Sequence, residues 1–198
     1  MKLFYSATSP YVRKVVACAI TREIDSQIER IPSGAASAEA LVQANPLGKV
    51  PTLLTSDGVA LFDSPVICEY LDTVGDAPPL FPDHGAHRWL ALKYQSLGDG
   101  IMDAAVMTRG EVLRPAEAAR QKNIDHQKAA ITRSLAVLEA HLPAAGTPDI
   151  GAIAVACALG YLDFHFADDG WRGQFPRLLQ WFEGISTLPG LATTIPPG

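Results

Sequence analysis

The chain has 198 residues and a mass of 21.1 kDa, enough for one full domain or two small ones with a sizeable core. Hydrophobic residues make up 48% and charged residues 19%, with 16 Gly and 15 Pro, a mix that excludes a disordered or fibrous chain. Sixteen Lys and Arg against 21 Asp and Glu leave a formal charge of −5, which repels phosphate backbones and anionic lipid and argues against nucleic-acid and membrane partners.

Lys2 to Tyr5 is apolar and aromatic enough for a short strand. Ser9-Pro10 then supplies a cap and a first-turn proline ahead of Val12, Val15, Val16, Ala19 and Ile20, the spacing of a helix. A second strand is predicted over Gln27 to Ile31, followed by the Gly-, Ala- and Ser-rich piece Ser33 to Ser37 and a short helix around Ala38 to Gln43, stopped by Asn45-Pro46. Val50 to Leu54 and Val59 to Phe62 flank the turn Ser56-Asp57-Gly58 as a hairpin. Asp63-Ser64-Pro65 caps a helix carrying Val66, Ile67, Tyr70 and Leu71. The order β-α-β-α-β-β-α over residues 1–75 describes a mixed-sheet α/β domain.

Three prolines, Pro78, Pro79 and Pro82, break regular structure and mark residues 76–83 as a linker. From residue 84 to 198 the apolar spacing is helical. One helix carries Trp89, Leu92 and Leu97 on to Val106, and a second runs from about Pro115 through Ile124, Ile131, Leu135, Leu138 and Leu142. A third, capped by Asp149, spans Ile150 to about Phe166, and a fourth spans Phe175 to Ile185. The second half is therefore an all-α bundle.

Cys18, Cys68 and Cys157 lie far apart with no paired motif, which fits reduced, buried thiols and a cytoplasmic setting. The first residues turn polar before a signal peptide's apolar run could develop, so none is expected. The longest uncharged apolar stretch, Ile150 to Leu162, falls short of the ~20 residues a bilayer requires and is expected to be a buried core helix. His84 and His87 share a helical spacing, but no further ligand completes a metal site, and they are expected to be surface residues.

Four segments in order carry a resemblance: Ser9-Pro10-Tyr11-Val12-Arg13-Lys14-Val15, Asn45-Pro46-Leu47-Gly48-Lys49-Val50-Pro51-Thr52-Leu53, Asp63-Ser64-Pro65-Val66-Ile67-Cys68-Glu69-Tyr70-Leu71 and Ala156-Cys157-Ala158-Leu159-Gly160-Tyr161-Leu162-Asp163-Phe164. Together they resemble the cytosolic glutathione transferase family, in its bacterial, serine-type form, over essentially the whole chain. The resemblance implies a thioredoxin-like N-terminal domain plus the helical bundle, a homodimer, glutathione as co-substrate and no metal. It implies that Ser9 meets the glutathione thiol as a thiolate, where a hydroxyl donor and the positive end of a helix lower the thiol's pKa. Tyr5 and Tyr11 are competing hydroxyls. Val50 precedes the family's cis-proline, Pro51, and would pair through its backbone with the cysteinyl part of the tripeptide. Lys49 would reach the glycine carboxylate, and Asp63 with Ser64 would hold the ammonium and carboxylate of the γ-glutamyl end.

Further along, Asp99 is the acid expected to approach the γ-glutamyl ammonium of the second subunit, with Asp103 on the same solvated or interhelical face. Tyr11, Met102 and Val106 are expected to line a pocket for a small apolar electrophile. Arg13 reads as a solvent-facing helix arginine. Relatives carry Asp three residues after the cap of the core helix; Ala152 stands there, so another group should satisfy the freed backbone donors. The function expected is glutathione transfer to an apolar electrophile. The alternatives are a non-enzymatic ligand carrier or regulatory dimer, and a glutathione-dependent isomerase or reductase.

Overall fold

Strand β1 (Lys2–Tyr5) lies inside a four-stranded sheet of order β2-β1-β3-β4. β2 (Glu29–Pro32) runs parallel to β1, β3 (Thr52–Leu54) antiparallel to it, and β4 (Ala60–Leu61) antiparallel to β3. In this computed structural model, residues 1–144 and 146–197 are described. Leu3 sits opposite Arg30 on one side and Leu53 on the other, so the buried pair Leu3 and Leu53 anchors the register. The parallel pairing of β1 and β2 requires a crossover, which α1 (Pro10–Thr21) supplies. The short α2 (Ala38–Ala44) and α3 (Ser64–Asp72) complete a thioredoxin-like domain.

The helical half begins with α4 (Gly85–Val112), longer at both ends than its apolar spacing suggested, and α5 (Ala118–Ala140), shorter at both. α6 (Ile150–Phe166) forms the centre of the bundle. The short α7 (Trp171–Gln174), α8 (Pro176–Ile185) and α9 (Pro189–Ala192) follow. Asp163 of α6 holds α7 in place, accepting from Trp171 Nε1 at 2.9 Å and from both Nε and Nη2 of Arg172 at 3.0 and 2.7 Å.

With its turn, the α6 segment reaches Ile150–Asp169 at a mean hydropathy of 1.6, long and apolar enough by composition to cross a bilayer, which corrects the expectation that it is too short. Residues 150–162 are all buried, however, against α4 and α1, as expected of a core helix. Gly98 and Gly151 permit the close approach of α4 to α6: a Cβ on Gly98 would lie 2.7 Å from the Ala154 carbonyl carbon, and one on Gly151 would lie 2.5 Å from the Ala91 oxygen. At the α6 N-terminus, Asp149 Oδ1 accepts the Ala152 N–H at 2.8 Å and the Leu80 carbonyl accepts that of Ile150 at 2.9 Å. The linker backbone thus satisfies a first-turn donor, a different one from the Asp149 N–H that a capping acid would hold.

One hydrophobic cluster runs through both halves, from Leu3, Val15 and Ile67 to Ile101, Ile153 and Leu159. α1 is enclosed by α3 on one side and by α4, α6 and α9 on others. This enclosure overturns the solvent-facing reading of Arg13, which is 7% exposed. Its guanidinium passes beneath Gly160 and donates to the Leu191 carbonyl at 3.2 Å and to Thr194 Oγ1 at 3.4 Å, tying the C-terminal segment to α1. Between α3 and α4, Arg22 and Asp72 organise the chain. Their buried side chains lie 3.1 Å apart, Arg22 donates to the carbonyls of Asp72 and Gly75, and Asp72 accepts the N–H groups of Leu80 and Phe81 at 2.7 and 3.0 Å.

Apart from those of α4, the boundaries move by at most three residues from the sequence reading, with β2 at Glu29–Pro32 and α5 starting at Ala118, beyond Pro115. α7 and α9 have no counterpart in that reading, because four-residue helices are too short to show a period.

Candidate functional site

A cleft of about 810 Å³ opens where the loops of the sheet domain face the middle of α4. The β1–α1 loop contributes Ser6, Thr8 and Ser9, and α1 begins with Pro10 and Tyr11. Asn45, Leu47, Lys49, Val50 and Pro51 form a second edge, Phe62 and Asp63 a third, and Asp103, Val106, Met107 and Tyr161 the helical wall.

Ser9 is the N-cap of α1, and its Oγ accepts the Val12 N–H at 3.3 Å. Capping uses a lone pair and leaves the hydroxyl proton free; it has no acceptor among the described residues. Pro10 has no N–H, and the Arg13 N–H bonds to the Ser9 carbonyl at 3.0 Å, so the Tyr11 N–H is the remaining first-turn donor. The end of a twelve-residue helix therefore presents a hydroxyl donor, an amide donor and a positive dipole to the cleft, a setting suited to a thiolate.

The competing Tyr11 hydroxyl has its proton committed elsewhere, donating to Asp103 Oδ1 at 2.5 Å across the cleft. Burial, then this bond and the charges of Asp103, Asp99 and Asp63, push its pKa far above the usual tyrosine value, so it stays protonated. Tyr5 is half-buried and does not line the cleft.

The Val50–Pro51 bond is cis, as the resemblance implies. Val50 lies beyond Thr52, the last paired residue of β3, so its backbone is an edge at which an extended peptide could add. Buried Asn45 braces this edge. Its Nδ2 donates to the Lys49 carbonyl at 3.1 Å and to Thr52 Oγ1 at 3.0 Å, and its Oδ1 accepts the Leu47 N–H at 3.0 Å. Lys49 is exposed in the cleft and forms no ion pair among the described residues. Asp63 caps α3, accepting the Ser64 N–H. The Ser64 hydroxyl, fully buried just behind it, has no partner among the described residues.

Ser9, Tyr11, Lys49, Val50, Pro51, Asp63 and Val106 thus converge on one cleft, and three expected residues do not. Ser64 is fully buried and does not line it. Met102 is fully buried in the core; Met107, on the adjoining face of α4, lines the cleft in its place. Asp99 does not line the cleft either. Its carboxylate lies 2.6 Å from Lys14 Nζ of the same chain, whose side chain is completely buried. Burial pulls the Lys14 pKa down, but the Cys68 sulfur and the Asp99 carboxylate more than offset this, and the net direction is upward.

Sequence reasoning also missed Ser6, Thr8, Ser33, Asn45, Leu47, Phe62 and Tyr161. The hydroxyl-rich run Ser6-Ala7-Thr8-Ser9 was a usable signal. Tyr161 was not, because a tyrosine within an apolar helix looks like core.

Residues 8–74 match the family model described as the N-terminal domain of glutathione S-transferase, and residues 118–184 match its C-terminal domain. Along its whole length the chain is 38% identical to 99% of the uncharacterized GST-like protein YibF of Escherichia coli K12. It is 41% identical to a glutathione transferase family member from Pseudomonas fluorescens Pf-5 solved with bound glutathione, at a TM-score of 0.92 covering 100% of this chain and 99% of that one. A glutathione S-transferase from Methylobacillus flagellatus KT, solved with glutathione bound, gives a TM-score of 0.89 at 32% identity over 99% of both chains. With both domains matched, in order, and full-length relatives on the same fold, the chain belongs to the glutathione transferase family.

Proposed function

We propose that this chain is a glutathione transferase: it binds glutathione along the sheet-domain side of the cleft and delivers its thiolate to an electrophile held against α4 and α6. The observation that carries the reading is the Ser9 hydroxyl, capping α1 at the cleft with its proton free. Glutathione would lie with its cysteinyl backbone along Val50 and its glycine carboxylate toward Lys49. Its γ-glutamyl end would lie at Asp63 and Ser64. The unpartnered Ser64 hydroxyl supports this placement, because a buried polar group without a partner costs about 1–3 kcal/mol and a ligand carboxylate would satisfy it. The relatives solved with glutathione support the choice of ligand.

Catalysis in this reading rests on electrostatics and placement. The Ser9 proton, the Tyr11 N–H and the α1 dipole stabilise the sulfur anion, which attacks the electrophile's reactive carbon as the leaving group departs or the π bond opens. Calorimetric binding of glutathione, run beside a turnover screen over several electrophile classes, tests the reading. Binding with turnover supports it, binding without turnover favours a ligand carrier, and no binding removes both.

A homodimer belongs to the same proposal. Val66 on α3 is 49% exposed, and Trp89 and Leu90 at the start of α4 are 70% and 45% exposed. The two helices are joined by Arg88 and Glu69 at 2.7 Å, so these apolar side chains occupy neighbouring elements. Sedimentation should show a particle of about twice 21.1 kDa, and Trp89→Glu should shift it toward monomer. A wild-type monomer at micromolar concentration would remove the dimer.

A further inference from the structure

Three residues lining the cleft carry a full charge: Lys49, Asp63 and Asp103. Lys49 and Asp63 belong to the sheet domain, where the proposed tripeptide uses them. On the helical wall, Asp103 stands alone among Val106, Met107 and Tyr161. It is exposed to the cleft, with Oδ1 accepting the Tyr11 hydroxyl at 2.5 Å and Oδ2 without a protein donor among the described residues.

Nearby cations leave this charge standing. Lys14 is spent on Asp99 at 2.6 Å, and Arg13 is turned toward Leu191 and Thr194. Arg109 acts on Tyr161 and His165 but does not line the cleft. Asp63 and Asp99 add further negative potential at Tyr11, so the floor between the two halves is acidic.

We propose that Asp103 determines specificity at the electrophile side of the cleft, admitting electrophiles whose distal end offers a hydrogen-bond donor and discriminating against those bearing a carboxylate there. A ligand carboxylate within about 6 Å of Asp103, at an effective dielectric near 20, is repelled by more than the energy of one tenfold change in affinity. An N–H donor at the same place gains a hydrogen bond to an ionised acceptor. The inference rests on the transferase reading for its substrates, but its test needs no turnover.

The test compares, by calorimetry at pH 7.5 and low ionic strength, S-(4-carbamoylbenzyl)glutathione with S-(4-carboxybenzyl)glutathione, two adducts of nearly equal shape. Wild type should bind the amide at least about tenfold more tightly. Asp103→Asn, which keeps the shape and an acceptor for Tyr11, should cut that ratio below about threefold. Tyr11→Phe keeps the charge while removing its internal donor, so the ratio should persist or widen. Equal affinity of wild type for both adducts, or the same ratio in wild type and Asp103→Asn, overturns the inference while leaving the glutathione reading intact. Failure of glutathione itself to bind overturns that reading, and this inference with it.

Discussion

Ser9→Ala should lower kcat/KM by about a hundredfold to a thousandfold, the loss of about 3–4 kcal/mol seen when one preorganised donor to a developing anion is removed. At the start of α1 the hydroxyl accepts the Val12 N–H and keeps its own proton for the cleft. Removing it takes a donor from the sulfur anion, so the pKa of the bound thiol should rise. In the proposed reading docking of the tripeptide rests on Val50, Asp63 and Ser64, so it should change little, whereas Ser64→Ala should weaken glutathione affinity. The same oxygen caps the helix, so Ser9→Ala should also cost about 1 kcal/mol of stability. Glycine separates the two effects, because a Gly cap costs only about a few tenths of a kcal/mol while lacking the hydroxyl. Ser9→Gly should therefore lose activity as Ser9→Ala does and unfold nearly as wild type does. An ultraviolet titration giving one thiolate pKa for wild type and both variants would make Ser9 only a cap and move attention to the Tyr11 N–H.

Asp99→Ala should destabilise the fold by about 3–5 kcal/mol, the cost of leaving a buried charge without its partner. Lys14 Nζ has no exposure and sits 2.6 Å from Asp99, the contact through which α1 meets α4 beneath the cleft. Burial holds the Asp99 pKa above the usual carboxylate value despite the pull of Lys14, so the carboxylate, 20% exposed, is partly desolvated and the ammonium fully so. Replacing both partners together, as Lys14→Met with Asp99→Leu, should recover most of the loss, since apolar groups of similar volume need no counter-charge. Urea unfolding of the two single variants and the double variant measures the coupling. A cost below about 1 kcal/mol for Asp99→Ala would mean that the pair is solvated in solution, and Asp99 would again be available to a second subunit.

The contrast between Asp99 and Asp103 shows where sequence reading stopped. Both stand on α4, four residues apart, and local pattern treats them alike. Their roles come from partners far away in the chain: Lys14, 85 positions from Asp99, and Tyr11, 92 positions from Asp103. Met102, expected at the cleft, is in the core for the same reason, and Met107 borders the cleft instead. Periodicity shows that a helix has an apolar face, but on α4 apolar residues occupy both the core face and the cleft face, and only packing separates them.

What the amino-acid sequence by itself determined was whatever depends on near neighbours. Ser9, Asp63 and Asp149 cap their helices because a short oxygen-bearing side chain next to a helical run satisfies orphan backbone donors wherever that run is placed. The order of strands and helices follows from apolar spacing broken by proline and glycine, and the motifs around Pro51 and Ser64 placed one wall of the cleft. What only the tertiary structure decided was the fate of long polar side chains and the membership of the opposite wall. Arg13 and Lys14 look like solvent-facing helix residues until α4, α6 and α9 close over α1 and leave them partners only within the protein. Tyr161 looks like core until α6 is set against α4 and its ring borders the cleft. A buried charge or ring takes its role from the atoms that replace water around it, and those atoms are brought there by packing across the two domains rather than by the residues beside it in the chain.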